Sequence, residues 1–489
     1  MKKKLFLAVL LLVFFSVASF FGLQFYFKTG VFKVPGKLLF SDSFPEEEKA
    51  VYSELFAETE LEKDLTLSLE TSPSKKSSSE TSPAFLLDVF VPTADFYEPA
   101  SSLSLSEFAS LYESSDPSVI SVSDLKNNIK LLAVEDEGKE NYFLDTFDSG
   151  AMFKYLVLSS ESEEDLSLAK SLISPTLKSF PESSTTLTFL QTGVTALSRG
   201  MTAKLSAAPD ATYFTKNIAD FLSSFDLTHT SNEASFTNLA TSSNICSKPE
   251  MIDVLTSAGV DIVELTGNHN LDCGAEAALE TLDLYESLDI RTVGGGKNAE
   301  AAKVPLEISE KGTNLTILGF NESTGGATTG DYPGANQYYE AVAREQISEA
   351  KARGDVVIVD VQYYECNNYD NTYENPACDA ANSSAGDQIG LFRSLIDMGA
   401  DVVVGTSAHQ TQTYELYGDG VIYYGLGNLF FDQYWWPGTT RSLALGHYFY
   451  NGKLLQTRLF GTVYDSSMQT ELMDKETLEW FIDRLNQAR

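Results

Sequence analysis

The 489-residue chain sets 34 Lys+Arg against 69 Asp+Glu, a formal net charge of −35 at pH 7. That acidity excludes a nucleic-acid partner, which needs a basic surface to displace phosphate counterions, and it excludes an anionic membrane surface as the partner of the folded part. A hydrophobic share of 43% excludes wholesale disorder, and 4 cysteines are too few for a disulfide-built scaffold. With only 4 histidines, any metal centre must draw mainly on carboxylates and amides.

Lys2, Lys3 and Lys4 precede an apolar run from Leu5 to Phe27. The run is long enough to cross a bilayer as a helix. The charge asymmetry places the lysines in the cytoplasm and the bulk of the chain outside the cell membrane. Residues 1–27 therefore read as a cytoplasmic tip and an uncleaved single-pass anchor. A cleaved signal peptide ending near Val17-Ala18-Ser19 is the competing reading. Residues 28–83 are acidic and Ser-rich and read as a solvated linker, with a transient helix at most over 55–69.

Order is expected from Ala84. Strands are predicted at 85–91, 130–134 and 155–158, and Ser104 with Glu107 forms a capping-box pattern that opens a helix. Residues 84–180 then read as a small α/β module, a spacer by default and a ligand-binding module or small-molecule receptor as the alternative. From 181 to 489 the pattern is that of one further domain. Strands are predicted at 187–190, 261–265, 314–320, 355–361, 401–404 and 421–424, and helices at 251–257, 275–287 and 388–398. Strands alternating with helices imply an α/β domain with a largely buried sheet.

Polar clusters follow these strands, where open α/β sheets hold ligands. They are Asn232-Glu233, Gly267-Asn268-His269-Asn270-Leu271-Asp272-Cys273-Gly274, Gln362-Tyr363-Tyr364-Glu365, Gly405-Thr406-Ser407-Ala408-His409-Gln410 and Gly425-Leu426-Gly427-Asn428. Asn268 and His269 can present an amide oxygen and an imidazole nitrogen to one ion, with Asp272 orienting the ring. His229 reads as a hydrogen-bonded loop histidine and His447 as structural. Gly294-Gly295-Gly296 lacks the spacing of a phosphate loop. Thr195 and Ser198 have no base partner, so a serine hydrolase is discounted. Tyr434, Trp435 and Trp436 either stack on a polymer or close the core.

In order and spacing, residues 187–432 resemble the bacterial poly-gamma-glutamate capsule biosynthesis (CapA) family. Its Gly-Asp with a following Arg is Gly193-Val194 with Arg199 here, and its Asn-Leu-Glu is Ser231-Asn232-Glu233. Its Asn-Asn-His-x-x-Asp-x-Gly is the 267–274 cluster. Its His-Trp-Gly-x-Glu is Gln362 to Glu365, its Gly-His-His-Pro-His is Gly405 to His409, and its Leu-Gly-Asn-Phe is Leu426 to Leu429. The resemblance implies a metallophosphatase-like, calcineurin-type α/β sandwich. It also implies capsule or envelope polymer biosynthesis as the setting, with an anionic envelope polymer or its synthesis machinery as partner.

The departures fall on metal ligands. Val194 replaces the first Asp, Gln362 an imidazole, and Ser407 the first His of a His-x-His pair. The resemblance leaves Glu233, Asn268, His269 and His409 as ligands for at most one divalent ion, with Arg199, Asp272, Gln362 and Glu365 beside them. Arg199 would neutralise substrate charge. If the protein is an enzyme, the reaction is metal-assisted hydrolysis or transfer on envelope polymer. The alternative is a non-catalytic polymer-binding or tethering module. Export favours disulfides, and Cys366 with Cys378 flanks a turn-rich stretch and is the expected pair; Cys246 with Cys273 is not the favoured one.

Overall fold

The computed structural model describes residues 36–42, 44–76, 83–208, 210–240, 243–322, 325–363, 376–378 and 386–489. The expected anchor at 5–27 lies outside these. Among the described residues no helix is long and apolar enough to cross a membrane. The chain forms two compact units.

Of the described residues, those from 36 to 72 with Lys76, 83–88 and Phe153–Lys178 form the smaller unit. Strand β1 (Leu38–Phe40) runs parallel to β2 (Leu65–Ser72), which pairs antiparallel with β3 (Met152–Ser159). Helices α1 (Glu46–Leu55) and α2 (Glu163–Ile173) accompany them. Leu65, Leu67, Leu156, Leu158, Leu166 and Ile173 build its core. This corrects the linker expected at 28–83 for its described residues, 36–42 and 44–76. The Leu65-Thr-Leu67-Ser-Leu69 alternation is a strand period, which buries one face, and the surrounding serines and acids mask it. It also corrects the module expected at 84–180. Residues 153–178 join the smaller unit, and 89–152 belong to the larger one. The Ser104–Glu107 capping box is formed, opening a helix over Leu105–Glu113.

In the larger unit two sheets stack. The first has the order β7 (Arg291–Val293), β6 (Ile262–Glu264), β5 (Leu227–Asn232), β4 (Thr186–Thr195), β15 (Arg441–Tyr450), β16 (Lys453–Val463) and β17 (Glu471–Leu472), with β14 (Asn428–Phe430) also on β4. The second runs β8 (Leu306–Glu310), β9 (Thr313–Asn321), β10 (Val356–Gln362), β11 (Val402–Gly405), β13 (Gly420–Tyr423) and β12 (Tyr414–Tyr417). Strands β4 to β7 are mutually parallel, as are β9, β10, β11 and β13.

Period-2 alternation assigns the faces. In β10, Val356 and Ile358 point to the core between the sheets, while Val357, Val359 and Val361 pack under helices α4 (Glu340–Arg353) and α5 (Gln388–Met398). In the first sheet Leu187, Phe189, Leu227 and Ile262 face inward, and Leu190 and Val263 pack outward in the core that includes Tyr285 of α3 (Ala275–Ser287). Helix α6 (Lys475–Gln487) adds Phe481 and Leu485 to the inner core. Helix, sheet, sheet, helix is the α/β sandwich expected of residues 181–489.

Candidate active site

Toward the C-terminal ends of the parallel strands the inward positions turn from apolar to polar. Gln191 of β4 lies in register with His229 of β5, and Ser231 with Glu264 of β6. Asp360 follows Val356 and Ile358 on the inner face of β10. Gln191, His229, Glu264, Asp360 and His447 are all fully buried. His229 Nε2 stands 3.1 Å from Asp360 Oδ2, and Gln191 Nε2 donates to Asp360 Oδ1. His447 contacts Thr457 Oγ1 through Nδ1 at 2.8 Å and Gln191 Oε1 through Nε2 at 3.3 Å. Burial, with His229 adding repulsion, pushes the His447 imidazole down to about 3. Burial first, and then the neighbouring Asp360, push the Glu264 carboxyl up. His229, expected in a loop, is a strand residue in this buried polar layer.

Above that layer lies the candidate site. Strand β10 ends on Gln362, whose Nε2 donates to Asn268 Oδ1 at 2.9 Å and to Ser407 Oγ at 3.2 Å. Its buried Oε1 has no hydrogen-bond partner among the described residues. Glu233 follows β5, its N–H donating to Thr195 O at 2.9 Å. Gly267 packs closely on Glu233: a Cβ at 267 would lie 3.2 Å from Glu233 Cγ. His409 follows β11 and is 6% exposed; its Nε2 stands 3.9 Å from Glu233 Oε2. Its Nδ1 lies 2.8 Å from Asn428 Oδ1. The Asn428 amide nitrogen donates to Gln433 Oε1 at 3.1 Å and Thr439 O at 3.3 Å, which fixes the amide with its oxygen toward His409. Nδ1 then carries a proton toward the Asn428 oxygen, and Nε2 is the ring nitrogen on the Glu233 side. Asn428 in this positioning role was not read from the sequence; its place at the start of β14, just after β13, was the available signal.

Not every expected residue joins this group. His269 Nδ1 bonds Asp272 Oδ2 at 2.9 Å, and both side chains are about one-third exposed, at 31% and 32%. Glu233, His269 and His409 therefore do not assemble as a three-ligand cluster, and no group of three or more His, Cys, Asp or Glu among the described residues is arranged to hold a metal. The carboxylate three residues on holds the His269 ring. Arg199 is not a free cation: Nη2 lies 2.5 Å from Asp432 Oδ1, and its guanidinium sits 5.0 Å above the Phe431 ring. Its φ of +46° is unusual for a side-chain-bearing residue, and the Asp432 carboxylate, which also accepts from Gly200 N at 2.8 Å, ties that turn down. Glu365 lies outside the described residues.

Val194 is 1% exposed and packs with Ala196, Ala234 and Phe431. Phe431 in turn lies 4.7 Å from the His409 ring. An apolar patch thus stands where the resemblance implies a bridging carboxylate. Cys246 and Cys273 form a disulfide with a Cα separation of 5.8 Å, correcting the sequence reading of that pair. Cys378 is also disulfide-bonded, and its expected partner Cys366 lies outside the described residues.

Among the described residues the donor set offers one carboxylate–imidazole pair. A spacing of 3.9 Å between Glu233 Oε2 and His409 Nε2 admits a cation at about 2.0–2.2 Å from each. Gln362 Oε1, without a hydrogen-bond partner among the described residues, is a neutral oxygen at the end of β10. A second ion would need a shared carboxylate, and Val194 offers none.

A family model, "Bacterial capsule synthesis protein PGA_cap", matches residues 188–433. Over 215 residues the chain is 30% identical to "Capsule biosynthesis protein CapA" of Bacillus anthracis, covering 43% of this chain and 49% of that protein. Over 202 residues it is 30% identical to "PGA biosynthesis protein CapA" of Bacillus subtilis (strain 168), covering 41% and 49%. The chain therefore spans about half the length of the curated relatives it matches. Among solved structures, TT1561 of Thermus thermophilus aligns at a TM-score of 0.32 and 11% identity, covering 55% of this chain and 100% of that one. That likeness is too distant to bear on function.

Proposed function

This chain belongs to the bacterial capsule synthesis protein PGA_cap family, and from that membership we propose that it acts outside the cell membrane, anchored by its N-terminal apolar run, in building or trimming an envelope polymer. The proposed site is a one-metal remnant of a metallophosphatase-like centre. The observation that carries this reading is the pair Glu233 and His409, with Oε2 and Nε2 3.9 Å apart and the far ring nitrogen held by Asn428. Glu233 and His409 would hold a divalent ion, with Asn268 and Gln362 as neutral oxygen donors. Such an ion supplies Lewis acidity toward a carbonyl or phosphoryl oxygen and lowers the pKa of bound water. Gln362, held by Asn268 and Ser407, positions its free oxygen. His269, oriented by Asp272 and accessible to solvent, can take or give a proton at Nε2. Arg199, being paired, fixes Asp432 and the turn rather than the substrate.

A second reading, a polymer-binding module without catalysis, draws support from Val194, because an apolar patch under the site removes the charge that a two-metal hydrolase uses. One experiment separates them. Titration of the full chain with Zn2+ or Mn2+ by calorimetry, beside His409→Ala and Glu233→Gln, should give one site lost in both variants. Absence of uptake in the unaltered chain would favour the binding module. Two tight sites would overturn both readings of the metal centre.

A further inference from the structure

Residues 89–152 belong to the larger unit without joining either of its two stacked sheets. The buried Gln456 of β16 seats them on the sandwich. Its Nε2 donates to Lys126 O and Ile129 O, both at 2.7 Å, and its Oε1 accepts from Leu131 N at 2.9 Å. Between this segment and β16, β17 and α6 lies a cavity of about 230 Å³. The rings of Phe96, Tyr142 and Phe460 line it, and Leu472, 39% exposed, brings one wall to the surface.

Three donors on the walls of this cavity lack an acceptor. Lys130 Nζ donates to Glu98 O at 2.7 Å and Pro99 O at 3.3 Å. An ammonium has three N–H groups, so one is left over. Among the described residues Lys130 forms no ion pair; Glu479 and Glu98 act on it only at longer range, and burial pushes its amine down to about 8. The other charged side chains on the walls, Arg458, Glu140 and Lys475, are all held in ion pairs. The remaining two donors are phenols. Tyr414 and Tyr423 lie opposite one another on β12 and β13, ring centroids 5.8 Å apart, and each is 1% exposed. Asn486 and Thr457 stand near their hydroxyls, yet neither hydroxyl has a hydrogen-bond partner among the described residues. Buried donors of this kind cost free energy until an acceptor meets them.

We propose that this cavity is a binding site for a small monocarboxylate with an apolar body, its carboxylate accepting from Lys130 and from the Tyr414 and Tyr423 hydroxyls, its body lying against Phe96, Tyr142 and Phe460. The chemistry of the walls selects this class. An ammonium only donates, and its missing counter-charge calls for an anion rather than a neutral acceptor. One unpaired cation balances one negative charge, so a carboxylate fits better than a doubly charged phosphate. The aromatic walls favour an organic body. A cavity of roughly 150 Å³ holds benzene, so this one has room for a single ring or a short branched chain with its carboxylate. No residue of the Glu233–His409 pair lines the cavity, so the proposal does not rest on the metal reading.

Calorimetric titration of the full chain with 3-phenylpropionate, its neutral amide and inorganic phosphate tests the site. One saturable site is expected for 3-phenylpropionate. Affinity should fall about tenfold or more in Lys130→Met, which removes a charged donor, and a few-fold in Tyr423→Phe, which removes a neutral one. The amide should bind about tenfold more weakly or not at all. The thermal midpoint of unliganded Lys130→Met should not drop, because the substitution deletes a partly buried charge that has no counter-ion; this separates lost binding from lost folding. No uptake of 3-phenylpropionate, equal uptake of the amide, phosphate binding in its place, or an affinity unchanged in Lys130→Met would overturn the proposal.

Discussion

Gln362 and Ser407 hydrogen-bond to one another at 3.2 Å, Nε2 to Oγ, at two positions where the resemblance implies imidazoles. The two departures compensate each other: an amide and a hydroxyl satisfy one another where two metal-ligating rings would otherwise face a cation. With Val194 packed on Phe431, the site is rebuilt as a hydrogen-bonded and partly apolar pocket around one carboxylate and one imidazole. Ser407→Ala should therefore cost only about 1 kcal/mol in urea unfolding, the net worth of one hydrogen bond, and should leave metal uptake intact.

Asn428 should matter to the metal without touching it. Asn428→Ala frees the His409 ring to rotate and change tautomer, and affinity should fall about 10–100-fold. Calorimetric titration with Zn2+ checks this, and an unchanged Kd would show that the amide does not set the ring.

Restoring the missing carboxylate alone should fail. Val194→Asp places a charge among Ala196, Ala234 and Phe431, which should destabilise by on the order of 3 kcal/mol. Only with Gln362→His and Ser407→His added should bound metal rise from one ion to two, as counted by plasma emission spectroscopy on the purified chain.

The Cys246–Cys273 bridge closes a separation of 27 residues and ends at the loop carrying Asn268 and His269. In the chain-entropy view a loop of that size stabilises by about 3–4 kcal/mol. Replacing both cysteines with Ala should lower the urea midpoint accordingly.

Two buried acid–base groups should pull stability in opposite directions with pH. The native state holds His447 neutral, its folded value of about 3 lying below the ordinary 6.5. Its contribution is full above pH 6.5 and is lost as pH falls toward about 3. Glu264 is raised above the ordinary 4.5 by burial and by Asp360. Its contribution is full below that value and is lost as pH rises through the raised one. Urea midpoints measured against pH should show the acid-side loss flattened in His447→Gln and the loss at rising pH flattened in Glu264→Gln.

Much of the larger unit was legible from local pattern. Helices at 275–287 and 388–398 lie where the apolar spacing placed them, and strands such as β10 and β11 lie within a residue of expectation, because a buried strand or an amphipathic helix writes its period into the chain. The order of polar loops after parallel strands likewise announced a site, since such sheets bring their C-terminal ends together. What the sequence by itself could not determine is where each side chain finds its partner. That His269 turns to Asp272 while His409 faces Glu233 depends on rotamers set by neighbours far apart in sequence. So do the pairing of Arg199 with Asp432, 233 positions apart, and of His229 with Asp360 across the sandwich. The strand at Leu65–Ser72 and the Cys246–Cys273 bond were decided the same way: a short Leu alternation and a cysteine spacing are each compatible with several local structures, and only packing against distant strands and loops selects one.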